Sequence, residues 1–302
     1  MKEYEVKGGK LILGDCIKHM KRMPRKSVDL IIGSPPYAKQ RKYLEKGKET
    51  NISRPLDEWI DWMVRIYKTS LRVCKGLVAF VIGHGKGARE WDGAPLLLGA
   101  RLLHEGICLR RQMYYHRNGI MGSGGNDWFR ADVEIILCAT DGKMKLEGDN
   151  TACGHPPKYK PGGVLSYRNV DGSRVNRQVI TTISGYEDGD AKTRRVNRAI
   201  TKIANPGDVL FCGAVGGGHL GSNISHDNEA PYPAQIPNFF IRSCCKPKGV
   251  VYDPFGGSGT TGAEAIKLGR SFIMSDIRPS QIELMKRRVK QARKQRGLGL
   301  LS

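Results

Sequence analysis

The stretch Val250-Val251-Tyr252-Asp253-Pro254-Phe255-Gly256-Gly257-Ser258-Gly259-Thr260-Thr261-Gly262 decides how this chain folds. An apolar run, Val250–Tyr252, feeds a glycine-rich loop, and a helix-forming stretch, Ala263–Leu268, follows it. Glycines let the backbone approach a ligand closely, and a helix start offers free N–H groups. Asp276 comes next, after a further strand at Ser271–Ser275. An acid there can accept hydrogen bonds from ribose hydroxyls. Together these features read as a Rossmann-type site for an adenosine ligand. The loop lacks the dinucleotide spacing G-x-G-x-x-G and begins Asp-Pro-Phe. Asp253 would repel a pyrophosphate and suits a ligand with an ammonium group. A glycine loop can also merely tighten a β–α junction; the position of Asp276 favours the ligand site.

Outward from this stretch, strand and helix alternate. Leu11–Gly14, Val28–Ile32, Leu77–Ile82, Ile107–Tyr115 and Val133–Ala139 read as strands; Cys16–Met23, Leu56–Cys74, Pro95–Leu103, Asn238–Cys245 and Pro279–Lys294 read as helices. Continuous β-branched runs such as Val28–Ile32 suit strands covered on both faces. The expected fold class is α/β, a doubly wound, mostly parallel sheet. From about Asp141 the texture changes. Residues 141–204 are rich in Gly, Pro and basic residues, with a basic segment at Ala191–Ala204 that reads as helical. The expected layout is one half of a core domain at 1–140, an insertion at 141–204 and the second half at 205–302.

Charge narrows the partners. Fifty Lys and Arg against 29 Asp and Glu give a net charge of +21, which points to a polyanion, nucleic acid first. The longest apolar run, near Gly76–Gly83, is far short of the roughly 18–20 residues of a spanning helix. No signal peptide is visible at Met1–Lys10, and the eight cysteines show no C-x-x-C pair. These features read as a cytoplasmic protein with reduced thiols.

A second motif, Ser34-Pro35-Pro36-Tyr37, ends the strand Val28–Ile32. Ligands in open α/β sheets bind beyond the carboxyl ends of strands. Two prolines stiffen the backbone and remove N–H donors, so the Ser34 oxygen and the Pro35 carbonyl form a pair of acceptors. Tyr37 adds a ring for stacking. This set fits the exocyclic amino group of a flipped base. Alone, it reads first as a proline turn closing a strand.

With both motifs present, the chain resembles the DNA amino-methyltransferases that use S-adenosylmethionine and modify cytosine N4 or adenine N6. Asp253-Pro254-Phe255-Gly256-Gly257-Ser258-Gly259 resembles their cofactor loop, continuing into Thr260. Ser34–Tyr37 resembles their catalytic tetrapeptide. The tetrapeptide precedes the cofactor loop, which looks like the circularly permuted β group of the family. Leu11–Cys16, ending in Gly14, Asp15 and Cys16, is similar to the segment contacting the cofactor adenine. Asn228–Pro233 and the helix at Asn238 look like the segment preceding the cofactor loop. Residues 141–204 occupy the target-recognition position.

The resemblance implies direct attack by the amino nitrogen on the sulfonium methyl, without a covalent enzyme–base intermediate. Ser34, Pro35, Pro36 and Tyr37 would be catalytic. Asp15, Cys16, Asn238, Asp253–Thr260 and Asp276 would hold the cofactor. C5-cytosine methylation is disfavoured, because none of the 15 prolines precedes a cysteine. Serine at the first tetrapeptide position leans toward cytosine N4; adenine N6 is the alternative. DNA contacts are expected from Lys39, Arg41 and Lys42, and from Lys192, Arg194, Arg195 and Arg198. No metal is expected; Cys153-Gly154-His155 lacks a second pair at zinc-like spacing. The partner is DNA, a duplex with one base flipped out. The resemblance also leaves room for a homodimer and a cognate restriction endonuclease, in a bacterial, archaeal or phage setting. Two competing readings are a catalytically silent DNA-binding relative and a Rossmann oxidoreductase.

Overall fold

The computed structural model describes residues 1–38, 44–45, 48–49, 54–83, 91–118, 129, 131–142, 147–160, 165–168, 171–177, 179–187, 190–198, 201–213 and 233–299. The chain opens with β1 (Lys2–Val6), β2 (Gly9–Leu13), α1 (Cys16–Arg22) and β3 (Val28–Gly33). Two short strands, β4 (Leu44–Glu45) and β5 (Lys48–Glu49), pair with each other. Then come α2 (Leu56–Val73), β6 (Cys74–Ile82), α3 (Ala94–His104), β7 (Cys108–Leu109), β8 (Met113–Asn118) and β9 (Val133–Thr140). Next are β10 (Leu165–Arg168), β11 (Arg174–Arg177), β12 (Val179–Glu187) and β13 (Asp190–Arg198). The chain closes with β14 (Val209–Gly213), α4 (Gln235–Cys244), β15 (Val250–Asp253), α5 (Thr260–Lys267), β16 (Ser271–Asp276) and α6 (Pro279–Gly299).

Two compact units result: Met1–Asp149 with Gly207–Ser302, and Asn150–Pro206. The first holds a 10-stranded sheet in the order β1-β2-β16-β15-β3-β6-β9-β8-β14, with β7 beside β9. The run β2-β16-β15-β3-β6 is parallel throughout. The fold is therefore α/β with a mostly parallel mixed sheet, as the alternation of elements indicated. Helices cover both faces. On one, Phe240 and Ile241 of α4, Ala265 and Ile266 of α5 and Met285 and Val289 of α6 pack on Leu30, Ala79, Val251 and Met274. On the other, α2 lays Trp59, Met63, Ile66 and Tyr67 onto Ile31, Val78 and Phe80. Each large apolar side chain so buried contributes about 1.5–3 kcal/mol. No helix among the described residues is long and apolar enough to cross a membrane.

One strand is added to the sequence reading and two readings change. The N-terminal Lys2–Val6 is an edge strand, paired antiparallel to β2; Glu3 and Glu5 ride its exposed face. The strand expected over Ile107–Tyr115 is broken in two. Leu109 pairs with Ala139 but Met113 with Ile136, so one extra residue is accommodated between β7 and β8. The segment expected to be helical from Ala191 is β13, paired over its length with β12. The sequence between the paired ends Glu187 and Asp190 is Asp-Gly, a strong hairpin signal. Thr193 and Val196 also favour strand. The second unit thus contains two antiparallel hairpins, β10–β11 and β12–β13.

Candidate active site

The sheet order aligns the motif residues. Asp15 lies just beyond β2, Asp276 ends β16, Asp253 ends β15 and Ser34 follows β3. These strands are neighbours and parallel, so the four residues form one row along a single sheet edge. Strands lie about 4.8 Å apart, so the ends of β16 and β3 are on the order of 10 Å apart. Residues separated by up to 261 positions, from Asp15 to Asp276, meet only because β2 pairs β16. The Gly14 N–H donates to the Asp276 carbonyl at 2.9 Å and locks that junction.

Among the residues expected to hold the cofactor, Asp15 caps α1: its Oδ1 accepts from the Lys18 N–H at 2.8 Å. Asp276 accepts the backbone N–H of Arg278 at 2.9 Å. Burial pushes its carboxyl up from the ordinary range, while Arg278 and the backbone N–H groups of Arg278 and Gly257 pull it down. Gly259, at φ +83°, is the N-cap of α5 and needs the left-handed conformation that glycine permits. Ser258 and Thr260 are buried, and so is Cys16, whose thiol burial pushes far up. Asn238 on α4 donates its amide to Glu264 of α5 at 2.9 Å, bracing the two helices.

Asp253 stands at the start of the glycine loop. Its side chain is fully buried. Oδ1 accepts from the Phe255 N–H at 2.9 Å and Oδ2 accepts from the Thr261 hydroxyl. The carboxylate holds the loop in shape. Phe255 likewise turns into the protein, with its ring 5.6 Å from both Trp62 and Phe80.

The tetrapeptide is held by groups that sequence reasoning missed. Trp59 of α2 donates its indole N–H to the Pro36 carbonyl at 2.7 Å. Among the described residues no donor reaches the Pro35 carbonyl, which keeps it as an acceptor. Tyr37 donates its hydroxyl proton to Glu134 of β9 at 2.9 Å, and its oxygen lies 3.2 Å from Ser34 Oγ. Gly83, just beyond β6, makes room for the ring: a Cβ there would lie 2.2 Å from Tyr37 Cε2. The one sequence signal for Glu134 was an acid beside the apolar run Ile135–Ala139.

Beneath the row runs a buried chain of polar groups. Ser275 Oγ donates to the Pro254 carbonyl at 3.0 Å. Its single proton thus committed, it accepts from the Tyr252 hydroxyl at 3.0 Å. The Tyr252 oxygen then accepts from His19 Nδ1 at 3.1 Å, which assigns the neutral Nδ1–H tautomer to His19. The chain ties α1 to β15 and β16. Burial lowers the pKa of His19. As pH falls, the unfolded chain takes up this proton first, so stability present above the ordinary histidine pKa is lost below it. Thermal melts should show a lower midpoint at about pH 5.5 than at about pH 7.5, with a smaller difference in His19→Gln.

The residues expected to contact DNA are only partly described. Lys39, Arg41, Lys42 and most of Asn228–Pro233 lie outside the described residues. In the second unit, Lys192, Arg194 and Arg198 occupy alternate positions of β13, opposite Gly185, Ile183 and Val179, and Arg195 falls in the intervening set. No group of three or more His, Cys, Asp or Glu side chains among the described residues is placed to hold a metal.

The chain is similar to known DNA methyltransferases over most of its length. A family model for N6/N4 methyltransferases, described as "DNA methylase", matches residues 28–287. The chain is 22% identical over 309 residues to the type II methyltransferase M.PvuII of Proteus hauseri, covering 92% of this chain and 83% of that protein. It is 24% identical over 287 residues to the DNA adenine methyltransferase YhdJ of Escherichia coli, covering 92% and 82%. Among solved structures it is similar to the cytosine-N4-specific PvuII DNA methyltransferase, with a TM-score of 0.65 at 18% identity, covering 96% and 92%. It is also similar to TTHA0409 of Thermus thermophilus complexed with S-adenosyl-L-methionine, with a TM-score of 0.57 at 17% identity, covering 93% of each chain.

Proposed function

The chain belongs to the DNA methylase family, and on that premise we propose that it transfers a methyl group from S-adenosylmethionine to N4 of a cytosine in DNA. The observation that carries this reading is the row at the sheet edge, with the acids and glycine loop beside the tetrapeptide. The residues present fit the cofactor: Asp15 and Asp276 suit hydroxyl and amine groups. The loop itself, braced by Asp253, supplies the wall. Bound there, the cofactor supplies an electrophilic methyl on a cationic sulfur.

The chain's own residues hold the target. Ser34 Oγ and the Pro35 carbonyl accept the two amino N–H bonds. This directs the nitrogen lone pair out of ring conjugation and draws off positive charge as it develops. Tyr37 stacks on the extruded base, with its ring fixed against Gly83. The basic positions Lys39, Arg41 and Lys42 and those of the β12–β13 hairpin hold phosphates, and the unit Asn150–Pro206 carries target recognition. A two-stranded ribbon is one of the shapes a major groove admits.

The serine of the tetrapeptide and the similarity to the cytosine-N4-specific PvuII enzyme support cytosine. Adenine N6 is the second reading, favoured by the likeness to the adenine enzyme YhdJ. Expression in a host without DNA methylation, followed by nucleoside analysis of its DNA, should reveal N4-methylcytosine. N6-methyladenine alone would overturn the base assignment. Cofactor binding without any methylated nucleoside would favour the silent relative.

A further inference from the structure

Ser34 can serve as an acceptor for the target amino group only if its own proton points elsewhere. A hydroxyl carries one proton and two lone pairs; turned the wrong way, it would aim that proton at the amino hydrogens. Something must therefore set its direction before the base arrives.

The structure contains such a device on β9. Glu134 is an acceptor-only carboxylate whose side chain is 14% exposed, so water has little access to it. The guanidinium of Arg117 on β8 forms an ion pair with Oε1, its Nη1 3.3 Å away. Oε2 is left to receive the Tyr37 hydroxyl proton at 2.9 Å. With that proton committed, the Tyr37 oxygen can only accept in its 3.2 Å contact with Ser34 Oγ. Ser34 is thereby the donor to Tyr37, and both of its lone pairs are released for the substrate. We propose that Glu134 is a positioning residue that sets the hydrogen-bond direction through Tyr37 to Ser34, making Ser34 an acceptor for the target amino group. This inference rests on the amino-methyltransferase reading above. It adds to that reading an acid outside the tetrapeptide and a second role for Tyr37 beside stacking.

The isosteric change Glu134→Gln probes direction without altering shape. Arg117 holds the amide oxygen on its own side, so the amide NH2 faces Tyr37 and donates to it. Tyr37 must then donate to Ser34, and the Ser34 proton turns toward the target. The expected result is a kcat lower by about 10–100-fold, with the KM for S-adenosylmethionine and the thermal midpoint unchanged. Glu134→Asp disturbs packing more but keeps an acceptor-only group, and should retain more activity than Glu134→Gln. In a Tyr37→Phe background the relay is already cut, so adding Glu134→Gln should change kcat by less than about twofold.

A kcat for Glu134→Gln within twofold of wild type would overturn the proposal. So would an equal loss in the Tyr37→Phe background, or an Asp variant weaker than the Gln variant. Raman spectroscopy gives a readout that needs no turnover. The tyrosine doublet in a wild-type minus Tyr37→Phe difference spectrum isolates one of the 11 tyrosines. It should report a hydroxyl that donates strongly in wild type and shifts toward accepting in Glu134→Gln. A wild-type Tyr37 that only accepts would sink the inference, whereas a wild-type protein inactive on every DNA would sink the functional reading and leave the hydrogen-bond direction still decided by the spectrum.

Discussion

Replacing Ser34 by alanine is expected to lower methyl transfer by about 10²–10³-fold while cofactor binding persists. The separation follows from the architecture. Ser34 lies beyond β3, and the proposed cofactor residues Asp15 and Asp276 lie beyond β2 and β16, with β15 between. Alanine at 34 removes an acceptor from the developing charge and leaves the cofactor loop intact. That loop is braced independently, by Asp253 on Phe255 and Thr261 and by Ser275 on Pro254. The measurement pairs equilibrium binding of S-adenosylmethionine with single-turnover methylation of DNA. Full methylation by Ser34→Ala would refute the assignment of the tetrapeptide. Loss of cofactor binding in the same variant would refute the separation of the two halves of the site.

The second large effect is that of salt. The net charge of +21 has no use in a cofactor site marked by acids, since the cofactor is itself cationic. Assigned to the polyanionic substrate, it predicts counterion release on binding. A protein making about 6–10 phosphate contacts loses about 10³–10⁵-fold in affinity between roughly 50 and 200 mM salt. Titration of a labelled duplex across that range should give a steep linear fall of log affinity with log salt. Neutralising Lys192, Arg194 and Arg198 together should flatten the slope by up to about three units. A slope near zero in the wild-type protein would remove DNA as the reason for the charge.

Much of the fold was legible because its signals are local. Val28–Ile32 and Leu77–Ile82 are continuous apolar runs of strand length, and the spacing of Trp59, Met63, Ile66 and Tyr67 is helical. Both local motifs could be read because prolines and glycines restrict or free the backbone at fixed offsets. Signals failed where a local preference competed with pairing. The arginine-rich segment after Ala191 looks helical alone, but its partner strand Val179–Glu187 and an Asp-Gly dipeptide make it a hairpin. Likewise Lys2–Val6 becomes a strand through its register with Gly9–Leu13.

By itself, then, the sequence determined the α/β class and pointed to a cofactor loop, a tetrapeptide and a polyanionic partner. Each depends on backbone chemistry or charge carried within a few residues, or on a sum over the chain. Only the tertiary structure decided that Asp253 braces the loop, that Trp59 holds Pro36, and that Glu134 and Arg117 stand behind Tyr37. Those roles are pairwise hydrogen bonds between strands and helices distant in sequence. Glu134 is 97 residues from Tyr37, and nothing in a linear pattern records that β6, β9 and β8 lie side by side. A carboxylate has the same chemistry at every position in a chain. Its role is set by which donors the fold brings within about 3 Å of it.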